Sequence, residues 1–130
     1  MGTCYSGIFV PKLSKTGRVI ITSSDAEEQS LAGITVNNQA TTTTLPGGGD
    51  YFIDSLFNFL GRGDNFKDAT IQASANIALR DTRKTDSGKH SGVYDTLAQH
   101  PLLDDDGDGT AIYAPASTTD GAVAANGSYY

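Results

Sequence analysis

The chain has one cysteine, no tryptophan and one methionine among its 130 residues, and nine Lys and Arg stand against fifteen Asp and Glu. Each shortage excludes something. A single thiol cannot close an internal disulfide, so Cys4 is free or pairs with another chain. A net charge of −6, with acids gathered at 104–108, offers no basic face for phosphates and argues against nucleic acid as a partner. No apolar run approaches the roughly 20 residues of a membrane span. The first residues lack the basic-then-apolar build of a secretory signal. With 38% apolar residues and fifteen glycines, the chain suits one ordinary domain, or part of one, with a small and loop-rich core. That make-up permits an extracellular or cell-surface setting without requiring it.

The apolar residues that are present fall into a few runs. Residues 18–22, Arg-Val-Ile-Ile-Thr, are β-branched and nearly continuous. Such a run predicts a strand buried on both faces, as in a parallel sheet covered by helices. Residues 37–49 carry a threonine run and Gly47-Gly48-Gly49 and read as a mobile loop; the triplet lacks the Lys-Ser/Thr of a phosphate loop. Tyr51, Phe52, Leu56, Phe57, Phe59 and Leu60 repeat at helical spacing behind Asp50, a good N-cap, so a core helix is expected over 51–60. Gly61 and Gly63 stop it. A second helix over 66–82 is expected to use Phe66, Ala69, Thr70, Ala73, Ile77 and Leu79 as its apolar side. Arg62-Gly63-Asp64 falls in the turn between them and reads as a coincidental tripeptide. Residues 93–97 suit a short turn or strand. The stretch 116–130, rich in Ala, Thr, Ser and Gly, reads as a flexible tail with little to bury.

Two segments carry chemistry. Cys4 is followed by Tyr5, Ser6 and Gly7. Small residues there leave room for a carbonyl carbon to approach a thiolate and for a backbone N–H to receive the oxyanion; the competing reading is a structural apolar cysteine. Further on, Asp104, Asp106, Asp108 and Gly109 stand at the positions that open a calcium loop, where alternate carboxylates wrap a hard cation and the glycine allows the sharp turn. The match is partial, because the twelfth position is Pro115 rather than a bidentate Glu. The competing reading is a solvated acidic turn.

Taken in order, Thr3-Cys4-Tyr5-Ser6-Gly7, then Gly17-Arg18-Val19-Ile20-Ile21-Thr22-Ser23-Ser24, the aromatic helix, the Gly-Asp-Asn-Phe helix start, and Pro101-Leu102-Leu103-Asp104-Asp105-Asp106-Gly107-Asp108-Gly109 resemble bacterial legumain-like cysteine peptidases of the caspase-like clan. The resemblance implies an α/β caspase-like three-layer sandwich, with a parallel sheet flanked by helices, incomplete here and spanning 1–115. It implies a peptide or protein substrate, Cys4 as the nucleophile, and Cys4's own N–H as an oxyanion donor. Thr22, Ser23, Ser24, Glu28 and Ser30 would shape the pocket for the residue before the cleaved bond, where an acidic group could favour a basic side chain although legumains proper prefer Asn; the competing reading is a polar strand-to-loop exit, and no substrate residue is named. The family's His lies upstream of the Cys and is followed by Gly. Here His90 precedes Ser91 and His100 precedes Pro101, both downstream, and both read as surface or packing residues. Gly2 also stands where many relatives carry Asp. The expectation is therefore a nucleophile-bearing portion, inactive alone, that takes its His from an upstream segment or another chain; the alternatives are a non-catalytic calcium-dependent interaction module and a pseudopeptidase of a secreted or surface protein. No cofactor is required by that chemistry; calcium is the one ion the acidic segment suggests.

Overall fold

The computed structural model describes residues 1–30, 35–36, 39–40, 50–80, 89–90, 93–94, 99–113 and 120–127. In chain order they form a 3₁₀ turn (Ser6–Phe9), α1 (Val10–Leu13), β1 (Ile20–Thr22), β2 (Thr35–Val36), β3 (Gln39–Ala40), α2 (Tyr51–Gly61), α3 (Phe66–Arg80), β4 (Lys89–His90), β5 (Val93–Tyr94), β6 (Leu102–Asp104) and β7 (Ile112–Tyr113). No helix among these residues is long and apolar enough to cross a membrane.

Both long helices begin where side-chain chemistry starts them. Asp50 Oδ1 accepts from the N–H groups of Phe52 (3.0 Å) and Ile53 (3.2 Å), satisfying two of the donors that a helix start leaves open. Asn65 Oδ1 accepts from Asp68 N–H at 2.8 Å and does the same for α3. The two helices pack together through Tyr51, Phe52, Leu56, Leu60, Ala69, Ala73 and Ile77. Thr70 and Ser74 can join this buried side because each hydroxyl donates to the carbonyl four residues back, Phe66 O (2.7 Å) and Thr70 O (2.8 Å). Leu79 does not belong to that side: it is 83% exposed, since two residues beyond Ile77 a helix has turned about 200°. Phe57 is likewise exposed.

In β1, neighbouring isoleucines face opposite ways, as strand geometry requires. Ile21 packs on the helix pair, while Ile20 joins a second cluster with Val10, Leu102 and Ala111. The continuous apolar run thus reflects cover on both faces. The parallel sheet inferred from it, and with it the caspase-like sandwich, is not what forms. β1 pairs antiparallel with β6, Ile20 opposite Asp104 and Thr22 opposite Leu102, and β6 pairs antiparallel with β7, giving the order β1-β6-β7. β2–β3 and β4–β5 are separate antiparallel pairs. Two-sided cover produces the same run of apolar residues whichever way the neighbour runs, so the pattern carried no information on direction. On the other edge of β1, the Met1 amino group donates to Ile21 O and Met1 O accepts from Ser23 N–H. That is the bonding of a parallel neighbour to Thr22, made by one residue rather than by a strand.

The carboxy-terminal stretch is more engaged than its composition suggests. Asp120 and Ala124 are buried in a run of turns over 120–127. Gly127 O accepts from Phe66 N–H (3.0 Å) and Ala124 O from Lys67 N–H (3.2 Å), so this segment occupies two open donors at the start of α3.

Candidate functional site

Cys4 is exposed and directly precedes Tyr5, the one described non-glycine residue with a positive φ (58°). A left-handed tyrosine stores strain that the surroundings must hold in place. They do so through the backbone on both sides of the thiol. Thr3 N–H donates to Ser23 Oγ (3.1 Å), Tyr5 N–H to Glu28 O (2.6 Å) and Ser6 N–H to Ser24 Oγ (3.2 Å). Among the described residues the N–H of Cys4 has no acceptor. Gly7 lets the turn sit against the next loop, since a Cβ there would lie 2.6 Å from Ala26 N. The Cys4 Sγ accepts from Ser30 Oγ at 3.7 Å.

Of the five residues expected to shape a substrate pocket, Ser30 is the one whose side chain hydrogen-bonds the thiol among the described residues. Thr22, Ser23 and Ser24 are fully buried and brace the turn from within. Thr22 Oγ1 donates to Ser24 O (3.0 Å), and Ser23 Oγ and Ser24 Oγ each donate to Thr3 O (3.2 Å). Glu28 is 4% exposed, and its carboxylate faces inward. Oε1 lies 2.6 Å from His100 Nδ1, while Oε2 accepts from the N–H groups of His100 (2.6 Å) and Asp25 (3.2 Å). His100 is itself buried, with the Tyr113 ring edge-on at 4.7 Å. This Glu28–His100 pair escaped the sequence reading, because 72 residues separate its members. The His90 side chain lies outside the described residues.

The acidic segment forms a second site at the end of β6. Each of its three alternate aspartates spends one oxygen on its own loop: Asp104 Oδ1 accepts from Gly107 N–H (3.1 Å), Asp106 Oδ1 from Asp108 N–H (3.0 Å) and Asp108 Oδ1 from Thr110 N–H (2.6 Å). The loop is seated on residues 14–16. Gly109 N–H donates to Ser14 Oγ (2.8 Å), and Gly107, at φ 84°, approaches so closely that a Cβ would lie 2.6 Å from Lys15 C. Ligand oxygens of Asp104, Asp106 and Asp108 lie within 4.8 Å of one another, so the group can hold a metal ion. Asp104 is fully buried and its Oδ2 has no hydrogen-bond partner among the described residues. Among the described residues no Lys or Arg pairs with any of the three. Pro115, the twelfth position of the loop pattern, lies outside the described residues.

Asp105, between two of these aspartates, points elsewhere, and the sequence reading passed over it. Its carboxylate accepts from Gly121 N–H (2.9 Å) and Ala124 N–H (2.7 Å), and its own N–H donates to Asp120 Oδ1 (3.1 Å). The available signal was the alternation itself, which sends neighbouring side chains of an extended segment to opposite sides. Burial pushes the Asp120 carboxyl up to about 6; the bond from Asp105 N–H opposes the shift, and the charges of Asp106, Asp104 and Asp105 add to it.

No family model, curated protein or solved structure matches this chain.

Proposed function

We propose that the chain carries the nucleophile of a cysteine-type peptidase, with Cys4 as the attacking thiol. The observation that carries this reading is the turn itself: Cys4 is exposed and its N–H has no acceptor among the described residues, while the N–H groups of Thr3, Tyr5 and Ser6 are all engaged. In the proposed reaction the thiolate adds to the scissile carbonyl and the Cys4 N–H receives the oxyanion. The amine departs with a proton from an imidazole, and water then releases the acyl group from sulfur. The resemblance implies an imidazole from another segment or chain, and within this chain His100 is buried against Glu28. The reading rests on the local turn and the sequence resemblance, and makes no use of a parallel sheet. Joined to a His-bearing amino-terminal half of legumain type, the chain should hydrolyse peptides, and Cys4→Ala should abolish turnover without changing stability. Hydrolysis indifferent to that substitution would sink the assignment.

A second reading, of a calcium-dependent module, has its own support in the buried, unpartnered Asp104 Oδ2 beside two more carboxylates. An all-oxygen, carboxylate-rich donor set suits a hard cation, and the alternate spacing suits calcium. It stands with or without thiol chemistry. Calorimetry with calcium chloride should show binding heat, and the melting temperature should rise. At a hundred times Kd the added stability is about 2.7 kcal/mol. Asp106→Asn should reduce both effects. Absence of heat and of any melting shift at millimolar calcium would remove this reading.

A further inference from the structure

Resting on the calcium reading, we propose that the cation at Asp104, Asp106 and Asp108 is a lock that keeps the 120–127 turns docked on the start of α3. Three observations connect the two places. Asp105 shares its backbone with the ligands on either side, and its carboxylate holds Gly121 and Ala124 by their N–H groups at 2.9 and 2.7 Å. The same segment returns a carboxylate, Asp120, to Asp105 N–H. From there Ala124 O and Gly127 O receive the Lys67 and Phe66 N–H groups of α3.

The charges set the direction of the effect. Asp104, Asp105, Asp106, Asp108 and Asp120 gather at one end of β6 with no described Lys or Arg paired to any of them, and Asp104, Asp105 and Asp120 are buried. A divalent ion offsets that repulsion and fixes the backbone at 104–106, which aims Asp105 at the 120–127 segment. Without the ion, the cheapest relief is for the clasp to open, since the carboxy-terminal segment is held there by a few hydrogen bonds and the burial of Asp120 and Ala124. Opening frees the first amides of α3 and exposes the 120–127 backbone. Calcium occupancy thereby regulates access to this end of the molecule.

The test is amide hydrogen exchange of the full chain in calcium chloride and in chelator, with calorimetry on the same samples. Calcium should slow exchange at Gly121 and Ala124 by tenfold or more. Asp106→Asn, at an exposed ligand whose side chain makes none of the clasp's hydrogen bonds, should remove that slowing. Asp105→Asn should keep the binding heat while Gly121 and Ala124 exchange quickly in either condition. Binding heat with unchanged exchange at Gly121 and Ala124 overturns the lock and leaves the ion site standing. No heat removes the site and the lock together.

Discussion

Asp50 shows how much one side chain contributes when its geometry is local. One oxygen serves two N–H groups of α2, so Asp50→Ala should cost about 1 kcal/mol in urea unfolding. The cap was legible in the sequence because donor and acceptor lie within three residues. Ile77 and Leu79 make the complementary case on α3. Both look like core residues by composition, yet Ile77 is 1% exposed and Leu79 83%. Ile77→Ala should destabilise by roughly 2–4 kcal/mol and Leu79→Ala by less than about 0.5 kcal/mol. Equal losses in denaturant midpoints would mean that α3 is rotated from the orientation described. At Cys4, the sequence indicated the nucleophile candidate and the small residues after it. It did not show which N–H groups around the thiol are engaged, because their acceptors, Ser23, Ser24 and Glu28, come from a separate loop.

Among the elements, the helices followed from the sequence and the sheet did not. α2 and α3 begin at Tyr51 and Phe66, as their caps and periodicity require. β1 is present within the predicted run, shortened to Ile20–Thr22, and is covered on both faces as its residues indicate. Its partner was not deducible, since the bond ladder joins residues about 80 positions apart and a slip in direction leaves the apolar pattern unchanged. The acidic loop lies between these extremes. Its aspartate spacing is written in six consecutive residues, but its seating on residues 14–16, and the burial of Asp104 that gives the site its unsatisfied oxygen, depend on distant chain.

For the molecule as a whole, the acidic end contributes to the response to pH. Asp120 holds its proton up to about pH 6 in the folded chain, against an ordinary value of 3.8. Between those values the native state binds the extra proton, so stability falls as pH rises through this window. Asp54, raised first by burial and then by the Asp50 charge, acts in the same sense. In chelator, thermal unfolding should show a higher melting temperature at pH 5 than at pH 7. The difference is on the order of 1 kcal/mol, and Asp120→Asn should flatten it. A profile unaltered by that substitution would place the titration elsewhere. The sequence by itself determined the long helices, their caps, the alternate-aspartate pattern and the thiol's position, because each depends on neighbours a few residues away. Tertiary structure alone decided the antiparallel order of the sheet, the inward turn of Glu28 onto His100, and the junction of Asp105 with residues 120–127. Those features join segments brought together by burial, and the free energy that selects among such pairings is spread over the whole core rather than encoded in any one stretch.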